Sequence, residues 1–270
     1  MLYFPNCKIN IGLYITNRRP DGYHDIESVF YPVPLHDILE IVPAKQTTLH
    51  LSGLTLPGDT KDNLVWKAYT LLQKEFAGKI PPLDIYLHKV VPTGAGLGGG
   101  SADGAFMLRL INEYCSLKLN NDQLANLALR LGSDCPFFIY NTPQYAKGRG
   151  EQMQAVRVDL SAFSIQLICP KIQVFTANAF KSVTPKPAAF DLRNIDTLPV
   201  AEWRNNITND FEKVIFQQHP PLKKFKDSLY EQGALYAAMS GSGSAVYGIF
   251  NKKKKAQIVP DKDIETFYFE

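Results

Sequence analysis

The chain has 270 residues, enough for one large domain or two of moderate size, and 45% of them are hydrophobic, as in a packed globular protein. A net charge of +3 is too weak to argue for nucleic-acid binding and suits an anionic small-molecule substrate. No secretory leader pattern opens the sequence, no apolar run approaches the ~20 residues of a membrane span, and Cys7, Cys115, Cys135 and Cys169 form no CxxC pair, so the expectation is a cytoplasmic protein with reduced thiols, no zinc site, no disulfide framework and no membrane partner.

From residue 7 to 15 the chain alternates. Ile9, Ile11, Leu13 and Ile15 fall on one face of a strand and Lys8, Asn10, Gly12 and Tyr14 on the other, so Lys8 and Asn10 project side by side. On an ordinary surface strand such a pair is merely solvated, and the alternation alone leaves both readings open. Arg18-Arg19-Pro20-Asp21-Gly22 has the composition of a turn. It delivers Tyr23-His24 ahead of a second strand-like run through Phe30; an aromatic beside an imidazole reads as packing unless something else assigns it a ligand. Residues 35–42 read as a further strand, 53–59 as a turn, and 63–76 as a helix that buries Leu64, Ala68, Leu71 and Leu72.

After a break at residues 78–82, Leu83, Ile85 and Leu87 alternate with Asp84, Tyr86 and His88, the period of a half-buried strand. The stretch that follows is Pro92-Thr93-Gly94-Ala95-Gly96-Leu97-Gly98-Gly99-Gly100-Ser101-Ala102. Beyond it Ala102, Phe106, Leu110 and Tyr114 recur at helical spacing, widened by Met107 and Ile111. Strand, glycine turn and helix start in this order make an anion site. Glycines let backbone N–H groups close on phosphate oxygens, and the first helical turn adds free N–H groups and a positive dipole end. A tight linker is the plainer reading, but linkers seldom carry so many glycines. No Lys-Ser or Lys-Thr follows the last glycine, so this is no Walker motif, and Ser101 stands where a dinucleotide fingerprint ends in glycine.

A second helix, capped by Asn120 or Asn121, turns Leu124, Leu127, Ala128 and Leu131 to the core and stops at Gly132. Ser133-Asp134-Cys135-Pro136 follows, and then the apolar residues 137–140, which read as a buried strand. Asp134 sits at that junction, where a carboxylate is costly without a partner; a turn-forming aspartate is the alternative. Residues 145–150 are polar and glycine-bearing and composition shifts there, so a domain boundary is expected shortly after, near residues 150–160. Residues 164–168 read as a strand, 176–183 as a segment carrying Phe180, and 185–198 as a loop. Thr208-Asn209-Asp210-Phe211-Glu212 reads as a capping box and Leu222, Phe225 and Leu229 as one face of a helix stopped by Gly233. Ser240-Gly241-Ser242-Gly243-Ser244 precedes a strand over 245–250; it is a hairpin turn or a second contribution to a phosphate site. The four lysines at 252–255 read as a solvated edge.

Together these blocks carry a resemblance. Pro5-Asn6-Cys7-Lys8-Ile9-Asn10, the run from Pro92 to Ser101, and Ser240 to Ser244 resemble, in order and spacing, the superfamily of galactokinase, homoserine kinase, mevalonate kinase and phosphomevalonate kinase. Asp21-Gly22-Tyr23-His24, Gly132-Ser133-Asp134-Cys135-Pro136-Phe137 and Asn209-Asp210-Phe211-Glu212 resemble the branch whose acceptor is a cytidine-diphosphate-linked methylerythritol. Cys7 replaces the usual alanine, Ala102 a second serine and Cys135 a common valine, which puts only a second hydroxyl contact to phosphate or magnesium in doubt.

The resemblance implies an α+β fold in two lobes. Residues 1–155 would form a lobe like domain 2 of ribosomal protein S5, residues 156–270 a ferredoxin-like lobe, and the active site would lie in the cleft between. ATP would be the donor, with magnesium, for which Ser101 is the candidate ligand. Residues Pro92 to Ala102 would hold the ATP phosphates. Asp134 would be the base and Lys8 its ion-pair partner. Tyr23, His24, Thr176 and Phe180 would hold the cytidine ring, and Asn10 the methylerythritol end. The protein would act on a small molecule as a monomer or weak homodimer. The chemistry suits these groups: phosphoryl transfer to an alcohol asks chiefly for placement and charge stabilisation, plus a carboxylate to take the proton. Another small-molecule kinase of the superfamily, such as a homoserine kinase, or a non-catalytic nucleotide sensor on the same scaffold, are the competing readings.

Overall fold

Asn63 accepts the Val65 N–H at 2.9 Å and starts a helix where the sequence places one. The computed structural model describes residues 1–56, 58–258 and 262–270. Its strands are β1 Leu2–Tyr3, β2 Asn6–Arg18, β3 His24–His36, β4 Ile38–Pro43, β5 Thr48–Gly53, β6 Leu83–Lys89, β7 Gln144–Gly148, β8 Gln152–Ala155, β9 Phe163–Pro170, β10 Tyr236–Met239, β11 Val246–Asn251 and β12 Ile264–Phe269. Its helices are α1 Leu64–Glu75, α2 Gly99–Tyr114, α3 Asn121–Leu129, α4 Cys135–Tyr140, α5 Thr176–Lys181, α6 Trp203–Asn206, α7 Glu212–Gln218 and α8 Pro220–Glu231. The mixture is α+β, as expected. The turn read over residues 53–59 includes Pro57, which lies outside the described residues.

By contacts the chain divides into two compact units. One is Met1–Lys8, Pro32–Thr93 and Gly98–Thr142; the other is Ile9–Tyr31, Gly94–Leu97 and Pro143–Glu270. The units interleave along the chain because β2, β3 and the glycine turn each contribute residues to both.

In the first unit, β1, β4, β6 and β5 form a sheet in that order; β5 runs parallel to β6, and the other pairs are antiparallel. Leu83, Ile85, Leu87 and also Lys89 take its buried face. α2 is the central helix: Ala102, Ala105, Met107, Leu108, Leu110 and Ile111 are all fully buried. Burying each of the Met, Leu and Ile side chains stabilises by about 1.5–3 kcal/mol, so α2 is fixed by packing rather than propensity. Gly104 lets α1 close in, since a Cβ there would meet Leu64 Cβ at 2.9 Å. α3 is capped by Asn120, with Gln123 completing a capping box.

Residues 137–140 are not a strand. They belong to α4, with Pro136 in its first turn, where the missing N–H costs nothing. A short apolar run carries no period that tells helix from strand, and the proline was the deciding signal.

In the second unit, β10, β11, β9 and β12 form an antiparallel sheet in that order, with Val246 opposite Ile168 and Ile249 opposite Ile165. Leu222 and Leu229 of α8 and Ile215 of α7 join its core. The loop read over residues 185–198 contains a 3-10 helix at Leu192–Thr197, started by the Asp191 carboxylate on the Arg193 N–H. The lysines at 252–255 are exposed. The remaining sheet runs β2-β3-β7-β8.

Candidate active site

The glycines of the turn after β6 differ in why they are glycine. Gly98 is the N-cap of α2 in the left-handed region, and a Cβ there would lie 3.0 Å from Phe138 Cζ and 3.3 Å from Lys8 Cε. At Gly96 a Cβ would stand 2.0 Å from the Ser240 carbonyl oxygen, so only glycine fits. Gly100 has neither constraint: it is helical, and a Cβ would meet nothing within 4 Å. A glycine in a helix costs roughly 0.5–1 kcal/mol relative to alanine. The open space before Gly100, at a helix start with unsatisfied N–H groups, is where an anion can approach.

Lys8 lies under this helix start. Although β2 alternates as expected, both its faces are covered, and Lys8 is only 3% exposed, which removes the solvated reading. Its Nζ stands 3.7 Å from Asp134 Oδ2. The side chain of Asp134 is 34% exposed, so of the two partners it is Lys8 that is taken out of water. Burial lowers the Lys8 pKa, and the Asp134 charge works against that loss. Asp134 occupies the N-cap position of α4, yet its side chain caps no N–H there. The carboxylate is thus not engaged in making the turn, which argues against the plain turn-former. Ser101 shares a hydrogen bond with the thiol of Cys135, the next residue, so the first turn of α2 and the Asp134 carboxylate are neighbours.

Residues 94–97 of the turn are held by the β10–β11 hairpin. The Ser240 hydroxyl donates to Gly96 O at 2.8 Å and accepts from the Asn10 N–H at 3.2 Å; the Ala245 N–H donates to Ala95 O at 3.0 Å. The glycine-serine turn is therefore a hairpin and also the brace of the glycine loop. It is braced in turn by the 208–212 block. Asn209 Nδ2 donates to Met239 O and Gly241 O, each at 2.8 Å, and Glu212 accepts the Met239 N–H at 2.8 Å. The capping box expected there does not form, because Glu212 is engaged with Met239 and Lys226 and α7 has no side-chain cap.

Asn10 is 2% exposed and donates its amide to Ser28 Oγ at 2.8 Å. His24 and Phe180 lie together, stacked with centroids 5.1 Å apart and planes 19° off parallel, too close to admit a base between them. Tyr23 is 56% exposed, with the Arg149 guanidinium 5.0 Å from its ring centroid. The Thr176 hydroxyl pairs with Ser242 Oγ at 2.9 Å, which ties the start of α5 to the hairpin turn.

Sequence reasoning missed a buried cluster behind the loop. Lys89 Nζ bonds to Asp37 and, at 2.6 Å, to Asp103 Oδ2. The signal was present: Lys89 continues the buried face of Leu83, Ile85 and Leu87, and Asp103 shares the face of Met107 and Leu110 on α2. A groove of about 180 Å³ beside the same helix start is lined by Leu51, Leu56, Asn63, Thr93 and Gly100 among others. No three His, Cys, Asp or Glu side chains converge as a metal cage among the described residues. The oxygen donors present, the Ser101 hydroxyl and the Asp134 carboxylate, fit a hard ion such as magnesium, which takes most of its ligands from phosphate and water.

The GHMP kinase N-terminal domain matches residues 63–142 and the GHMP kinase C-terminal domain residues 191–262. The chain is 50% identical to the 4-diphosphocytidyl-2-C-methyl-D-erythritol kinase of Bacteroides fragilis, over 94% of this chain and 94% of that protein. It is 48% identical to the protein of that name from Parabacteroides distasonis, over 93% and 92%. A crystal structure of 4-(cytidine 5'-diphospho)-2C-methyl-D-erythritol kinase superposes with a TM-score of 0.75 at 30% identity, covering 92% of this chain and 90% of that one. The Methanococcus jannaschii mevalonate kinase shares the fold, with a TM-score of 0.71 at 14% identity over 99% and 97%. With the Lys8–Asp134 pair at a glycine-rich helix start and relatives this similar over nearly their whole length, the chain belongs to the GHMP kinases and, within them, to the 4-diphosphocytidyl-2-C-methyl-D-erythritol kinase family.

Proposed function

We propose that this protein transfers the γ-phosphoryl group of ATP to the 2-hydroxyl of 4-diphosphocytidyl-2-C-methyl-D-erythritol, in the non-mevalonate route to isoprenoid precursors. The observation that carries the reading is the Lys8–Asp134 pair beside the first turn of α2, with an Asp134 carboxylate that caps no helix. Asp134 accepts the hydroxyl proton as the bond to phosphorus forms, a contribution of about 10²–10⁴-fold for a positioned base. Lys8 supplies positive charge to the oxygens that gain charge on transfer. The backbone of residues Pro92 to Ala102 donates to the phosphates, and the groove lined by Leu51, Leu56 and Asn63 takes the nucleoside of ATP. Ser101 would be the protein ligand of a magnesium ion, which would supply positive charge to the ATP phosphates.

The acceptor's handle is assigned to groups of the second unit. Tyr23 offers the exposed ring for stacking on cytosine, His24 and Phe180 form a fixed wall, Thr176 holds its turn to the hairpin, and Asn10 orients the methylerythritol end. Remote binding of this kind fixes the attack geometry. In this proposal residues 1–155 carry donor binding and catalysis, residues 156–270 complete the acceptor site, and the enzyme works in the cytoplasm as a monomer or weak homodimer.

A coupled ADP-release assay with the cytidine acceptor, homoserine and mevalonate in parallel tests the reading. Turnover is expected with the first alone. ADP release only with homoserine or mevalonate overturns the substrate assignment, and nucleotide binding with no turnover favours a sensor.

A further inference from the structure

Three charged side chains to which the phosphoryl-transfer reading gives no chemical role are buried together in the first unit, and two of them, Lys89 and Asp103, also line the groove assigned to the nucleoside. Asp37, Lys89 and Asp103 have side chains 0%, 1% and 3% exposed. Taking such groups out of water costs several kcal/mol each, and apolar side chains of similar volume would serve stability as well. Their worth must therefore lie in what their directional bonds hold in place.

What they hold is the two ends of the glycine turn. Asp37 Oδ1 accepts the N–H groups of Val90 and Val91, at 2.6 and 2.9 Å, where the chain leaves β6. Asp37 Oδ2 accepts from Lys89 Nζ, which also donates to Asp103 Oδ2 at 2.6 Å, one turn into α2. A Cβ on Gly99 would come within 3.4 Å of the same Nζ, so the ammonium lies directly beneath the first residue of that helix. One cation thus joins the entry and the exit of the segment whose backbone donors face the phosphates.

We propose that Asp37, Lys89 and Asp103 are positioning residues that set the pose of the phosphate-binding turn and so determine ATP affinity without touching ATP's reacting atoms. This rests on the kinase reading above.

The test measures KM for ATP and for the cytidine acceptor, calorimetric binding of a non-hydrolysable ATP analogue, and Tm, in wild-type protein, Lys89→Met, Asp37→Asn and the uncharged triple variant Asp37→Asn/Lys89→Met/Asp103→Asn. Lys89→Met is expected to raise KM for ATP and the analogue's Kd by about 10-fold or more while the acceptor's KM stays within about two-fold. Asp37→Asn, which keeps its volume and one acceptor oxygen, gives the same split at smaller amplitude and remains informative if Lys89→Met does not fold. The triple variant regains Tm but not ATP affinity. If ATP affinity returns with Tm in the triple variant, or if both KM values rise together, the triad is structural only and the proposal fails. Wild-type protein that binds the analogue but does not phosphorylate the cytidine acceptor would defeat the functional reading instead, and the binding arm would still decide the triad.

Discussion

Gly100→Ala separates a phosphate cradle from a structural turn. Gly100 is the second residue of α2, and a Cβ there meets nothing within 4 Å. For the free protein the substitution is therefore favourable: alanine gains up to about 0.8–1.0 kcal/mol over glycine in a helix, less in the first turn. In a chain of this size that raises Tm by roughly 2–4 °C per kcal/mol. The same methyl group projects into the space through which an anion reaches the N–H groups of the turn. Losing one charge-assisted hydrogen bond there costs about 1.5–3 kcal/mol, or roughly 10- to 100-fold in ATP affinity. The assay pairs thermal melting of the free protein with KM for ATP by ADP release. A raised Tm with a raised KM is the expected outcome. A raised Tm with unchanged KM would refute the placement of phosphate at this turn, and a lowered Tm would refute the view that the space is empty of protein.

Other variants probe the remaining roles. Asp134→Asn is expected to lower kcat by about 10²-fold or more with ATP binding within about three-fold, because its side chain caps no N–H of α4; equal loss of both would make that carboxylate structural. The Lys8 cation is the working form and burial lowers its pKa, so kcat should fall on the alkaline side at a pH below the ordinary lysine range. Lys8→Arg, with a guanidinium that stays charged, should remove that limb at reduced kcat; an unmoved limb would assign it to another group. Tyr23→Ala should raise KM for the cytidine acceptor by about 5- to 100-fold, the value of stacking one base, and leave KM for ATP within about two-fold. Parallel changes in both would remove Tyr23 from the acceptor site.

The parts of this protein governed by local pattern were legible in its sequence. Alternation placed β2 and β6, and helical spacing placed α1, α2 and α8, with the glycine run as the turn between β6 and α2. What failed to show was long-range or ambiguous in period. The six residues of α4 are apolar throughout, so only Pro136 distinguished helix from strand. Glu212 suits a capping box by spacing, but its partner is the Met239 N–H, which no local rule finds. Lys8 and Asn10 were placed correctly on a strand face, yet that face is covered, and only the fold shows that the lysine is the desolvated member of the pair. Lys89 could have been caught, since a lysine at the fourth position of an otherwise apolar i, i+2 row asks for buried partners.

The central claim is a bond: phosphorus from ATP joined to the 2-hydroxyl oxygen of the cytidine acceptor. Phosphorus NMR of a reaction containing the protein, ATP, magnesium and 4-diphosphocytidyl-2-C-methyl-D-erythritol reads that bond directly. A new phosphomonoester resonance should grow in step with ADP while the acceptor's own diphosphate is unchanged, and Asp134→Asn should suppress it. ADP accompanied only by inorganic phosphate, or no new phosphomonoester at all, would contradict the account.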